Sequence, residues 1–269
     1  MSSEQNKQGD EQELAGGGTA VVVRIGDTVR KPVRPWSDAV HRLLKHLEQQ
    51  GVDGVPRALG VDEQGRSVFS YLDGEVGNYP LSAAVRSERA LVSAAALLRR
   101  YHDATSSWAD GAREGWQFGA MEPVEVLCHG DFASYNCVFR GEEAVGIIDF
   151  DAARPGPRAW DLAYALYRFA PVTHPDNHDG FGGLAEQARR ARAFLDAYGC
   201  TREERRTAME TVSERLQSLA DFMQERAAAG DENFQRHIDE GHLALYLRDI
   251  AYAREHQDDW ERLVTGPQE

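Results

Sequence analysis

Cysteine is scarce in this chain: Cys128, Cys137 and Cys200 are the three present in 269 residues. An odd count without a Cys-x-x-Cys pair excludes a disulfide framework and argues against structural zinc. Buried, reduced thiols in a cytoplasmic protein are the expectation. Long apolar runs are missing too, and none approaches the roughly 20 residues of a membrane-spanning helix. The opening "MSSEQNKQGDEQEL" is polar and acidic, the opposite of a secretory leader, so residues 1–15 read as a disordered acidic lead-in. Positive charge is short. The formal net charge is −14, of which the lead-in carries −3. A body this acidic repels nucleic acid and anionic lipid, so neither nucleic acid nor membrane is an expected partner. A nucleotide stays admissible, because its phosphates need only a local cationic patch or a metal.

What is present is ordinary globular material, 42% hydrophobic and 28% charged, long enough for a two-lobed body with a real core. No repeat with a period of 20–50 residues is visible. "GGGTAVVVRIGDTVRKP" is a glycine run followed by two β-branched strands split at Gly26-Asp27, which argues a hairpin. "PWSDAVHRLLKHLEQQG" predicts a helix capped by Ser37, with an apolar stripe at Val40, Leu43, Leu44 and Leu47 and a stop at Gly51. "PRALGVDEQGRSVFSYLDG" predicts a second hairpin turning at Gln64-Gly65. From Leu81 onward the pattern is helical, except for short strands over residues 124–151. The expected class is therefore α+β: an N-terminal lobe over 16–76, mostly β, and a mostly helical C-terminal lobe over 77–269.

The chemistry concentrates in the exceptional stretch. "LCHGDFASYNCVF" sets His129, Asp131 and Asn136 between apolar residues, and Ile147-Ile148-Asp149-Phe150-Asp151 follows after a predicted hairpin. An ionised carboxylate beside a core is costly unless paired, hydrogen-bonded or bound to metal. One reading is structural, with Asp131 and Asn136 capping a tight turn and Asp149 capping a helix. The other is phosphoryl transfer. That reaction needs a carboxylate beside the acceptor hydroxyl, oxygen ligands for Mg²⁺ and a cation for the phosphates. In the kinase pattern His-Arg-Asp-x-x-x-x-Asn, the Asp serves the acceptor and the Asn binds metal, while a later Asp completes the metal site. Asp131 and Asn136 reproduce this spacing, with Gly130 in place of the arginine.

Together, "HGDFASYN", "IIDFD" and "PGPRAWDLAYAL" resemble the aminoglycoside phosphotransferase and choline kinase family, small-molecule relatives of the protein kinases. The resemblance covers most of residues 16–170. It implies a bilobal protein-kinase-like fold and a Mg²⁺-dependent transfer from ATP or GTP to a small hydroxylated acceptor. It implies Asp131 as catalytic base and Asn136 and Asp149 as Mg²⁺ ligands, with Asp151 in a water-mediated contact. His129 and Asp161 would brace the catalytic loop. Ser70, Tyr71 and Leu72 would be the hinge that meets the purine through backbone groups, with core packing as the plain alternative for Tyr71 and Leu72. A strand lysine would reach the phosphates. Lys31 shares a strand face with Val29 and is preferred, with Arg30 the alternative. The helix that follows offers Asp38, His41 and a distant Glu48, not the glutamate that kinases pair with this lysine. "GGGTA" can lie over the phosphates or simply lead into the first strand. Trp36, Trp160, Tyr164 and His242 read as packing or satisfied helix residues.

Two rival functions stand beside this one. A nucleotide-binding regulator of kinase-like fold would lack efficient catalysis. A His/Asp metal hydrolase would need more histidines than His102 and His129. A protein kinase is disfavoured, since no Ala-Pro-Glu motif lies between Asp149 and Asp161. Residues 231–262 hold nine acids against four arginines, a net −5. They suggest either a solvated surface or an acceptor pocket suited to an amine, such as an aminoglycoside or amino alcohol.

Overall fold

The computed structural model describes residues 11–14 and 21–266. The glycine run from Gly16 to Gly18 lies outside the described residues, as do 1–10, so nothing bears on the phosphate-loop reading of "GGGTA". The N-terminal sheet contains β1 (Gln12–Leu14), β2 (Val22–Ile25), β3 (Thr28–Pro32), β4 (Ala58–Val61) and β5 (Arg66–Ser70). Its order is β1-β2-β3-β5-β4, and each neighbouring pair is antiparallel. Gln12–Leu14, inside the stretch expected to be a disordered lead-in, forms the edge strand because its backbone pairs with Val22–Arg24. The β2–β3 turn uses Gly26 at φ +57°, a left-handed conformation that side chains disfavour.

Between β3 and β4 lies α1 (Ser37–Gln49), which buries Val40, Leu43, Leu44 and Leu47, the stripe expected from sequence. Truncating Leu43, fully buried, to alanine would cost about 2–5 kcal/mol. Gly51 ends the helix at φ +69°, its N–H bonded to the Glu48 carbonyl. Ser37 does not cap it. The N-cap position belongs to Trp36, while the Ser37 hydroxyl accepts from the Arg34 N–H (2.8 Å) and closes the preceding turn.

After β6 (Glu75–Val76) the chain is dominated by helices: α2 (Ala83–Arg86) and α3 (Glu88–Thr105) come first. Next are the strands β7 (Val126–Cys128), β8 (Cys137–Arg140), β9 (Glu143–Ile147) and β10 (Arg154–Gly156). The helices α4 (Arg158–Phe169), α5 (Leu184–Tyr198), α6 (Arg202–Ala228), α7 (Glu232–Asp239) and α8 (His242–Thr265) complete it. β6, at the end of the stretch read as N-terminal lobe, pairs with β8 of this helical part. Ten of the twelve residues of α4 are buried, so it is the central helix and its near-continuous apolar sequence follows. The three cysteines are free and buried, as expected. Among the described residues no helix is long and apolar enough to cross a membrane.

Candidate active site

The loop from His129 to Asn136 links β7 to β8, and the β8–β9 hairpin returns the chain so that the Ile148 N–H bonds the Asn136 carbonyl at 2.9 Å. This hydrogen bond sets Asn136 one residue away from facing Asp149 across the hairpin. Gly130 sits at φ +80°, and a Cβ there would press into the carbonyl of Ala152. Backbone geometry thus explains why the kinase-pattern arginine is absent at this position. A guanidinium reaches the loop from α6 instead, where Arg215 Nη2 donates to the Gly130 carbonyl at 2.6 Å.

The loop is held from beneath by Asp161 of α4. Its Oδ2 accepts the His129 N–H at 2.5 Å and its Oδ1 the Gly130 N–H at 2.8 Å. His102 of α3 adds Nε2 to Oδ2 at 3.0 Å, and its Nδ1 meets the Tyr198 hydroxyl at 2.8 Å. Burial disfavours the Asp161 carboxylate, but these donors overcome it and hold its pKa below the ordinary value. Burial dominates at His102 and lowers its pKa, so the imidazole is neutral, with Nε2–H donating to Asp161. His129 is fully buried and bonds the Ile148 carbonyl through Nε2 at 3.0 Å. This geometry braces the loop.

Asp131 has both oxygens engaged. Tyr135 donates its hydroxyl to Oδ1 at 2.8 Å, and Asn136 Nδ2 donates to Oδ2 and to the Asp131 carbonyl, each at 2.9 Å. Burial raises the Asp131 pKa, and the Tyr135 hydrogen bond opposes that rise. With Nδ2 fixed by two acceptors, the Asn136 amide oxygen is oriented away from them. Asp149 is the one non-glycine residue at positive φ (61°) among the described residues. It precedes a short 3₁₀ turn, Phe150–Ala152, yet makes no side-chain capping bond. Its carboxylate pairs with Lys31 Nζ at 2.9 Å, and Asp151 Oδ1 meets the same ammonium at 2.8 Å. Apart from burial, the strongest influence on the Asp149 carboxylate is Lys31, ahead of a backbone contact to Asp151.

Lys31 and Arg30 separate as strand alternation requires. Lys31 reaches the Asp149 side of the sheet, while Arg30 pairs with Asp62 at 3.5 Å and donates to Thr28 Oγ1. In the segment expected to be the hinge, the Ser70 N–H bonds the Arg57 carbonyl (3.0 Å) and the Tyr71 N–H the Asp27 carbonyl (2.8 Å). The Leu72 N–H makes no backbone hydrogen bond among the described residues. Of Ser70, Tyr71 and Leu72, only Leu72 has an N–H without a backbone partner among the described residues, because the other two bond Arg57 and Asp27.

Among the described residues no group of three or more His, Cys, Asp or Glu side chains is disposed to hold a metal alone. Asp149, Asp151 and the Asn136 amide oxygen are a small, hard-oxygen donor set. It fits Mg²⁺, which takes one or two carboxylates and completes its shell with water and phosphate oxygens.

Sequence reasoning missed a cluster of tyrosines and arginine beside Asp131. Tyr164 is buried in the core as expected, but its hydroxyl also meets that of Tyr135 at 2.8 Å. Arg168, one turn along α4, donates to Tyr164 and Tyr246 (3.2 Å each) and lies over the rings of Tyr79, Tyr135, Tyr164 and Tyr167. The four-residue spacing of Tyr164 and Arg168 was readable as one helix face; Arg215 carried no signal. The acids of 231–262 are largely engaged with their own chain. Asp249 is buried and accepts from Tyr167 (2.8 Å), the His174 N–H (2.8 Å) and Asn177 (2.6 Å). Asp231 caps α7 and pairs with Arg226, and Asp259 pairs with Arg262. His242 is half-exposed, stacked on His237.

Comparisons with known proteins agree with this architecture. The description "Phosphotransferase enzyme family" matches residues 112–210. The trifolitoxin immunity protein of Rhizobium leguminosarum bv. trifolii is 35% identical over 204 residues, spanning 73% of this chain and 77% of that protein. A choline/ethanolamine kinase family protein from Mesorhizobium loti superposes with TM-score 0.61 at 16% identity, covering 98% of this chain and 95% of that one. An aminoglycoside phosphotransferase from Streptomyces rimosus, in complex with ADP and streptomycin, gives TM-score 0.53 at 16% identity over 76% of this chain and 91% of that one. At such identity these structural likenesses concern the fold, which is the expected protein-kinase-like one.

Proposed function

The chain belongs to the phosphotransferase enzyme family, and we propose that it moves the γ-phosphoryl group of a nucleoside triphosphate to a hydroxyl of a small molecule. The observation that carries this reading is a juxtaposition. Lys31 of the N-terminal sheet meets Asp149 and Asp151 directly behind the hairpin that holds Asn136, and Asn136 clasps Asp131. A phosphate-binding cation, hard oxygen ligands and a base thus occupy one locus.

In this reading the nucleotide lies between residues 16–76 and 77–269, with the Leu72 N–H, flanked by Ser70 and Tyr71, meeting the purine edge of ATP or GTP. Lys31 exchanges its carboxylates for phosphate oxygens. Asn136 and Asp149 would hold Mg²⁺, with Asp151 contributing through a water. Bound there, the metal would offset the charge that develops on the transferring phosphoryl group. Asp131 orients the acceptor hydroxyl and takes its proton, and its raised pKa suits a base. Nucleotide supply and the reduced thiols favour a cytoplasmic setting.

The acceptor remains a small hydroxylated molecule. An amine-bearing acceptor, an aminoglycoside or amino alcohol, draws its support from the net −5 of residues 231–262. The pairing of Asp231, Asp249 and Asp259 with their own chain weakens it, as does the presence of Arg168 and Arg215 near Asp131. A protective role against a toxic compound draws support from the relative named for trifolitoxin immunity. The test is Mg²⁺-dependent ATP and GTP turnover across a panel of amino alcohols, aminoglycosides, neutral sugars and hydroxy acids. Nucleotide binding without turnover on any member would favour the non-catalytic regulator.

A further inference from the structure

Arg168 is a buried guanidinium with no carboxylate at ion-pair distance among the described residues, in a chain rich in acids. A buried charge without a counter-ion costs several kcal/mol unless its donors are satisfied. Here they go to tyrosines. Arg168 Nε donates to the Tyr164 hydroxyl and Nη2 to the Tyr246 hydroxyl, and four tyrosine rings surround the carbon that joins them.

The proton directions follow from the ends of the chain. The guanidinium can only donate and an ionised carboxylate can only accept. Tyr135 gives its single proton to Asp131, so it must accept from Tyr164, which in turn accepts from Arg168. Every hydroxyl is polarised the same way, from the cation to the carboxylate. Chains of this kind strengthen each link.

We propose that Arg168 is a positioning residue for Asp131, acting through the hydroxyls of Tyr164 and Tyr135. The proposal rests on the reading of Asp131 as the base. One oxygen of Asp131 is fixed by Asn136 and the other by the relay, so neither can turn without breaking a bond. The relay also ties the base to three other elements: α4 through Tyr164 and Arg168, α8 through Tyr246, and the segment after β6 through Tyr79. Removing any link frees the carboxylate to rotate while leaving the metal and nucleotide contacts in place. A pure packing role predicts otherwise, because Phe in place of Tyr164 keeps the ring and its stack on both arginines.

The experiment compares the full chain with Tyr164→Phe, Arg168→Met, their double variant and Arg168→Lys. MgATP and MgGTP turnover is followed with water, choline, streptomycin and glucose as acceptors, and thermal melting verifies folding. Tyr164→Phe and Arg168→Met should each lower kcat about tenfold, the scale of one hydrogen bond to a charged group, with KM for MgATP unchanged. The double variant should lose no more than either single one, and Arg168→Lys should recover part of the loss. Wild-type kcat in folded Tyr164→Phe, or losses that multiply in the double variant, would overturn the relay. If Arg168→Met fails to fold, Tyr135→Phe replaces it in the cycle. A wild-type protein inactive with all four acceptors would instead overturn the reading of Asp131 as base, and the relay with it.

Discussion

Lys31 Nζ lies 2.9 Å from Asp149 Oδ1 and 2.8 Å from Asp151 Oδ1, joining the N-terminal sheet to the turn behind β9. The helix between β3 and β4 supplies no acid to this ammonium, and the two aspartates fill that place. Burial would lower the lysine's pKa, but the paired carboxylates outweigh it and hold the pKa above its ordinary value. The same carboxylates are those proposed to hold Mg²⁺, so in that reading lysine and metal would compete for them.

Lys31→Met should therefore change two affinities in opposite directions. MgATP should bind about tenfold or more weakly, from loss of a charge-assisted contact to phosphate. Mg²⁺ alone should bind more tightly, because its carboxylates are released. Arg30→Ala, whose side chain faces Asp62, should alter neither. Calorimetric titration of both ligands decides it, and a loss of MgATP binding in Arg30→Ala would reverse the assignment.

Asp149→Ala should abolish the Mg²⁺ dependence of nucleotide binding. Asn136 is neutral, and without Asp149 the remaining charged ligand acts through a water. Nucleotide affinity measured against rising Mg²⁺ should be flat in the variant and steep in the wild type. An unchanged Mg²⁺ response would mean that Asp149 serves only Lys31.

Much of the site was legible because its residues are close in sequence. The spacing from Asp131 to Asn136, and the hairpin that returns to Asp149, are local patterns, and Lys31 followed from the two-residue period of a strand. The helix stripe of α1 was readable for the same reason. Contacts between distant segments were not. No sequence pattern states that Lys31 meets Asp149 118 residues away, that Arg215 reaches Gly130, or that Tyr246 joins Arg168. The acid count of 231–262 carries less information for a related reason: net charge does not say which acids fold against their own donors, as Asp249 does.

Acidification should destabilise the protein in a window set by the brace beneath the loop. His102 is fully buried with a lowered pKa, so the unfolded chain binds its proton first as pH falls below the ordinary histidine value of 6.5. Stability is thus greater above that value and declines below it, by up to about one proton's slope. A second decline begins below 3.8, where Asp161, whose folded pKa is depressed, protonates first in the unfolded chain. Urea midpoints between pH 7 and 5 should fall in the wild type and flatten in His102→Gln. An equal slope in both proteins would place the acid sensitivity elsewhere.

Asp161→Asn should destabilise the fold outright. Its amide nitrogen would face N–H donors from His129 or Gly130, breaking a buried network at a cost of about 3 kcal/mol or more. A thermal midpoint within experimental error of wild type would show the brace to be dispensable.

Asp131 should serve the acceptor hydroxyl and not the nucleotide. Asp131→Ala separates the two most directly, with MgATP affinity and transfer rate measured on the same folded preparation. Nucleotide affinity should stay close to wild type while kcat falls by about 10²–10⁴-fold, the range of general-base catalysis. Near-normal transfer, or a loss confined to nucleotide binding, would contradict it.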